Sequence, residues 1–283
     1  MILLDFSGVS IAPIAMGAAQ VDEHLIRHMV LNSIRMYKQK FKEYGDMVIV
    51  CDAGGNWRKD EYPEYKGNRK NSRQESKIDW DEAFRILNMV RDEITENLPY
   101  KVIHQWGCEA DDSIAEIVKW TQEFGNYEEV MIVSADRDFK QLQKFDNVKQ
   151  YSNITKKFVK EPNPRLFLQE HILTGCSGDG VPNVLSDDDT LINPDKRQPP
   201  LTKKKKEALL EDPRALGDTV YRNWCRNKKM IDLTEESQCP EVVKTEIINT
   251  FESQDNMSKK SKVLPYLIQK RCRLLIECVE EFF

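Results

Sequence analysis

Four short apolar runs, Ile2–Leu4, Met47–Val50, Lys101–Ile103 and Val130–Val133, are separated by longer stretches whose apolar residues recur at helical spacing. Strand runs alternating with amphipathic helices point to a parallel sheet covered by helices. Between the first two runs, Leu25, Ile26, Met29, Val30, Ile34, Tyr37 and Phe41 line one helical face, and Gly45 follows as a stop signal. The same reasoning predicts helices over about Asp79–Asn97 and Glu109–Phe124. Beyond residue 160 no further strand is indicated. Helical segments and prolines dominate there, with an extended stretch from Ser186 to Thr202. No apolar run approaches the roughly 18 residues of a membrane span, and Asp5 interrupts the apolar start, so a cytoplasmic protein without a membrane partner is expected. Seven cysteines form no CxxC pair and four histidines stand at no zinc-ligand spacing, which disfavours disulfides and structural zinc.

In an open α/β sheet the ligand site lies beyond the carboxyl ends of the strands. There this sequence places acids: Asp5 after the first run, Asp52 after the second, Glu109, Asp111 and Asp112 at the helix after the third, Asp136 and Asp138 after the fourth. Any one of them could simply complement a helix dipole. Together they would repel strongly unless cations neutralised them. An all-oxygen donor set favours Mg²⁺ over zinc, with Mn²⁺ as a substitute, and so many carboxylates suit two ions and phosphodiester hydrolysis. A phosphatase with a nucleophilic Asp5 would need a second Asp two residues later, where Ser7 stands. Neither GxGxxG nor GxxxxGK[ST] is present, which weakens a nucleotide-binding reading.

The segment from Trp57 to Lys77 carries seven positive and four negative side chains, a local net of +3, with Trp57, Tyr62 and Tyr65 interleaved. Cations for phosphates beside flat rings for unstacked bases suit single-stranded nucleic acid. Arg58, Lys59, Tyr65, Lys66, Arg69 and Lys70 are the candidate contacts. Tyr62-Pro63-Glu64-Tyr65-Lys66-Gly67-Asn68-Arg69 resembles the Tyr-Lys-x-x-Arg arch signature of the flap endonucleases, the structure-specific 5′-nucleases. Glu109-Ala110-Asp111-Asp112 and Ser134-Ala135-Asp136-Arg137-Asp138-Phe139 resemble the two acidic blocks of that family, in the same order. Residues 29–34 and 147–150 look most like its T-even-type phage ribonuclease H branch.

The resemblance implies a PIN-like catalytic domain over residues 1–160, with a basic arch over about 53–80, and a helical DNA-binding region over 161–283. It implies a two-metal 5′-nuclease that hydrolyses RNA–DNA hybrids and nicked or flapped duplex DNA, removing primers in lagging-strand synthesis. Asp5, Asp52, Glu109 and Asp111 would serve a first metal; Asp111, Asp136, Asp138 and Asp179 a second; Asp112 matches an acidic position of the same block. Lys66 and Arg69 would grip the scissile phosphate. A monomer is expected, with the single-strand-binding protein and the sliding clamp as protein partners. The readings set against it are a PIN-type single-strand ribonuclease, disfavoured by the arch motif, and a catalytically idle DNA-binding module, disfavoured by the retained acids.

The chain departs from the family pattern at Gly178-Asp179-Gly180-Val181-Pro182-Asn183, where Pro182 replaces a second acid, so a weaker second metal site is expected. The glycine-rich hairpin that usually follows is missing, which puts a potassium-assisted duplex clamp in doubt. Residues 196–230 then carry eleven basic and four acidic side chains, including Lys203, Lys204, Lys205 and Lys206, a local +7 suited to duplex phosphates. From Val263 to Phe283, Leu264, Leu267, Ile268, Leu274, Leu275 and Val279 follow helical spacing, better suited to core packing than to a docking face. The overall charge of -5 and pI near 5.6 thus average an acidic pit with two basic segments.

Overall fold

The computed structural model describes residues 1–15, 21–69, 76–125, 127–255 and 257–283. Six strands form one sheet in the order β3-β2-β1-β4-β5-β6. These are β1 (Ile2–Asp5), β2 (Met47–Val50), β3 (Lys101–Ile103), β4 (Val130–Val133), β5 (Val148–Ser152) and β6 (Lys157–Val159). The first five are mutually parallel and β6 is antiparallel to β5. The four expected strands are present; β5 and β6 are additional. β5 reads Val-Lys-Gln-Tyr-Ser and buries Gln150 and Ser152, so polar residues hide its strand character.

Successive residues of the central strands serve opposite faces of the sheet. Ile2, Leu4, Met47, Ile49, Met131 and Val133 pack into one core, and Leu3, Val48, Val50, Val130 and Ile132 into the other. The first core is covered by α1 (Phe6–Ala15), α2 (Glu23–Lys40) and α4 (Trp80–Asn97), with α3 (Trp57–Glu61) lying between β2 and α4 in the chain. Asp22 caps α2 through Leu25 N–H at 2.7 Å and Asp79 caps α4 through Glu82 N–H at 3.0 Å. The second core is covered by α5 (Ala110–Glu123) and by residues from far along the chain.

Residues on both sides of the expected boundary at residue 160 share these cores. Met230, Ile231, Leu233, Val243, Ile247 and Phe251 complete the second core, and Val263, Tyr266, Leu267, Leu275 and Phe282 complete the first. Among the described residues, Leu173, Val184 and Leu209, with their neighbours, form a separate small cluster. The helical part therefore closes the sheet instead of building a core apart from it. In the last segment Leu267 and Leu275 are buried as expected, while Leu264, Ile268 and Leu274 are exposed. Among the described residues no helix is long and apolar enough to cross a membrane.

Candidate active site

The strand order reverses beside β1, which lies between β2 and β4, and the acids gather beyond the carboxyl ends of these strands. Asp5 ends β1; its carboxylate accepts from Gly8 N–H at 2.9 Å and from the Ser134 hydroxyl at 2.7 Å. Asp52 follows β2 and accepts from the Ser7 hydroxyl at 2.7 Å and Ala110 N–H at 2.9 Å. Asp136, after β4, accepts from Asp138 N–H at 2.9 Å, and Gln150 of β5 donates to its carbonyl at 2.6 Å. Asp179 arrives from a single 3₁₀ turn, Ser177–Asp179.

Mutual repulsion marks this crevice. Burial and then the neighbouring Asp52 push the Asp5 carboxyl up to about 6. Burial and then the Asp138 carboxylate push Asp136 up to about 7, and Asp111 is driven well above the ordinary range by burial, Asp136 and Glu109. The remaining acids have protein partners. Tyr65 donates to Glu109 at 2.7 Å, Lys66 pairs with Glu109 and lies 3.5 Å from Asp179, and Arg69 meets Asp179 at 2.7 Å. Burial alone would lower the Lys66 ammonium, but Asp179 and Glu109 overrule it and hold it charged.

These contacts fold the Tyr62–Arg69 segment down onto the acids. Lys66 N–H donates to the Asp179 carbonyl at 2.7 Å, the Asn68 amide to Ser177 at 2.8 Å and Arg69 Nε to Gly178 at 3.2 Å. Gly180, at φ +72, lies close to the Glu64 carbonyl, where a Cβ would not fit. A cleft of about 1020 Å³ opens beside the acids, lined among others by Phe6, Ser7, Asp52, Gly54, Gly55, Lys59, Lys66, Arg69 and Glu109.

Two of the residues expected in the site are placed elsewhere. Arg58 is buried, its guanidinium bonded to both Asp112 oxygens at 2.6 and 2.8 Å and to the Met230 carbonyl at 2.8 Å. It has no free face for nucleic acid. Asp112 in turn accepts from the Trp57 indole and from Glu109 N–H, both at 3.2 Å, so its lone pairs are spent on the fold and not on a metal. Trp57, Tyr62 and Tyr65 are buried and offer no stacking surface; Tyr65 serves through its hydroxyl. Lys59 is exposed at the cleft. Lys70 lies outside the described residues. Lys203 and Lys204 are exposed at the start of a helix, Lys203–Glu211, while Lys205 and Lys206 are half-buried and Lys206 pairs with Glu170 at 2.7 Å.

Sequence reasoning missed His171, because a lone histidine in α6 (Pro164–Thr174) carries no motif. Its Nε2 lies 2.6 Å from Asp138 and its Nδ1 lies 3.2 Å from an Arg137 nitrogen. A guanidinium only donates, so Nδ1 is the acceptor and Nε2 carries the proton toward Asp138. Asp138, His171 and Cys176 bring three potential ligand atoms within 4.8 Å of one another. The tautomer set by Arg137 nevertheless makes the imidazole a clamp on Asp138 instead of a ligand. Around Pro182, Asn227 donates to the Ile172 and Pro182 carbonyls, both at 2.8 Å, and Asn223 to those of Val184 and Ser186 at 3.0 and 2.9 Å.

The remaining donor set is hard oxygen, crowded and in part protonatable near neutrality, which fits divalent cations. Residues 18–169 match the family described as 5′-3′ exonuclease, N-terminal resolvase-like domain, and residues 163–282 match the T4 RNase H C-terminal family. The chain is 29% identical to ribonuclease H of Enterobacteria phage T4 over 295 aligned positions, covering 99% of this chain and 95% of that protein. A flap endonuclease of bacteriophage T5, solved with DNA and metal ions, superposes with a TM-score of 0.63 at 17% identity, covering 89% of this chain and 100% of the other. A T5 5′-exonuclease with bound zinc superposes equally well, at a TM-score of 0.63 and 17% identity over 89% of this chain and 98% of that one.

Proposed function

This chain belongs to the 5′-3′ exonuclease family and is a metal-dependent 5′-nuclease, and on that premise we propose that its crevice holds two Mg²⁺ ions and hydrolyses phosphodiester bonds in RNA–DNA hybrids and in nicked or flapped duplex DNA. Asp5, Asp52, Glu109 and Asp111 would hold the first ion, and Asp111, Asp136, Asp138 and Asp179 the second. When bound, the ions supply Lewis acidity to the attacked phosphate and acidify the attacking water.

The chain's own residues do the rest. Lys66 and Arg69 bring two positive charges to the rim, where a phosphate entering between the arch segment and the acids must pass. There they neutralise the charge that builds on its oxygens. Tyr65 fixes the Glu109 carboxylate by its hydroxyl, and the Ser134 hydroxyl fixes that of Asp5. His171, itself met by Arg137, holds Asp138, which keeps one oxygen toward the imidazole. The exposed Lys59, Lys203 and Lys204 supply further cations for the backbone of the nucleic acid. The removal of RNA primers in replication is the role this substrate class suits.

The observation that carries the reading is the convergence of seven carboxylates from four strand ends and one distant turn, three of them pushed above their ordinary range. The test is a gel with 5′-labelled hybrid, nicked and flapped substrates, with and without Mg²⁺. Wild-type protein should release short 5′ products only with the metal. Asp136→Asn should bind the same substrates yet cut them more slowly by on the order of 10²–10³. Unchanged cleavage by that variant would sink the proposal.

A further inference from the structure

Trp106 is 70% exposed, although tryptophan is among the costliest side chains to leave in water. It lies in the turn between β3 and α5, three residues before Glu109. Its indole rests on the Gly54–Gly55 backbone, so closely that a Cβ at either glycine would run into the ring. These same glycines line the cleft beside Asp52 and Lys59.

The support beneath the ring is rigid. Gly107 N–H donates to the Gly54 carbonyl at 2.8 Å and Trp57 N–H to the Gly107 carbonyl at 3.1 Å. The Gln105 amide reaches Glu246 at 2.6 Å, tying the turn to the Glu241–Ser253 helix. A flat ring seated on glycines that line the cleft is held before any partner arrives, so stacking costs it little entropy. The interleaved aromatics Trp57, Tyr62 and Tyr65 are buried, and Trp80 and Phe84, which line the cleft, are half-buried and packed against each other, whereas the Trp106 ring stands open to solvent.

We infer that Trp106 is a stacking platform for an unpaired base of the single-stranded 5′ segment, on the 5′ side of the bond to be cut. The inference rests on the nuclease reading above and adds a subsite to it. The platform is sequence-tolerant, since every base has a π-face, and it favours substrates that carry a single strand over those that do not. Gly54 and Gly55 are part of the device, because a side chain at either would displace the ring.

The experiment uses the full chain and flapped duplexes carrying 2-aminopurine at successive positions 5′ of the scissile phosphate, with Ca²⁺ replacing Mg²⁺. Binding of wild-type protein should quench the fluorescence at one of these positions. Trp106→Phe should keep the quenching, and Trp106→Leu, which still covers the glycines, should lose it. Affinity for the flapped duplex should fall roughly tenfold in Trp106→Leu, more than for the same duplex without its single strand. Equal quenching by wild type and Trp106→Leu, or equal losses of affinity on both duplexes, would overturn the inference. Cleavage by wild type in Mg²⁺ is read in parallel: its absence would refute the nuclease reading, while the quenching decides the platform independently.

Discussion

Asp111 and Asp112 are neighbours on one helix and have opposite fates. Successive helical residues point about 100° apart, so one carboxylate faces the crevice and the other the core. Asp112 is fully enclosed and receives two guanidinium bonds, an indole N–H and a backbone N–H. Among the described residues Asp111 receives no hydrogen bond or ion pair, and its carboxyl is driven well above the ordinary range by burial and by Asp136. Asp112 is buried and Asp111 half-buried, side by side in one short motif. What separates a structural acid from a ligand acid here is whether the protein itself supplies the counter-charge.

This contrast is open to attack, beginning with the largest effect. Replacing Asp111 by Asn should cut turnover by on the order of 10²–10³ while leaving the unfolding midpoint of the metal-free protein unchanged or raised; single-turnover cleavage and urea melts measure both. Arg58→Met should do the reverse. It strands the Asp112 carboxylate and should cost about 3–5 kcal/mol of stability, while DNA affinity of the folded protein stays at the wild-type level. A loss of DNA binding at full stability would restore Arg58 as a contact.

The pH dependence separates the two kinds of acid more finely. The raised carboxyls of Asp5 and Asp136 favour the proton-bound native state, so their contribution is full below the ordinary carboxylate value of 3.8 and is lost as pH rises through about 6 and about 7. Metal-free protein should therefore lose stability over that interval, on the order of 3 kcal/mol from Asp5 alone. Asp5→Asn should flatten that part of the curve, and added divalent cation should restore wild-type stability at the upper end. The smallest effect concerns His171. Changing it to Phe frees Asp138 from its clamp and should weaken divalent-cation affinity by roughly tenfold, seen by titration calorimetry.

The four first strands, the long helices and the acids at the strand ends were legible because each rests on a local pattern. α4 and α5 begin one residue after Asp79 and Glu109, where the sequence places acidic caps. What could not be read is set by distance. Arg58 looked like one more arch cation, and only the arrival of Met230, 172 positions later, shows that it points inward. His171 finds Asp138 across 33 positions, and β5 hides behind Gln150, whose amide is consumed by carbonyls of the Ser134–Asp136 loop. Trp106 escaped for the opposite reason: an exposed ring has no periodicity, and its support is two glycines that belong to another strand end.

The contacts that close the crevice span long stretches of chain. Ser134 reaches back 129 positions to Asp5, Arg69 forward 110 to Asp179, and Tyr62 forward 126 to the Asp188 carbonyl. Such loops close late, since their entropy must be spent before any contact is made. The sheet gathers Asp5, Asp52, Glu109 and Asp136 from the first 136 residues, whereas Asp179 and the contacts that hold Lys66 and Arg69 over them come only with the chain that follows.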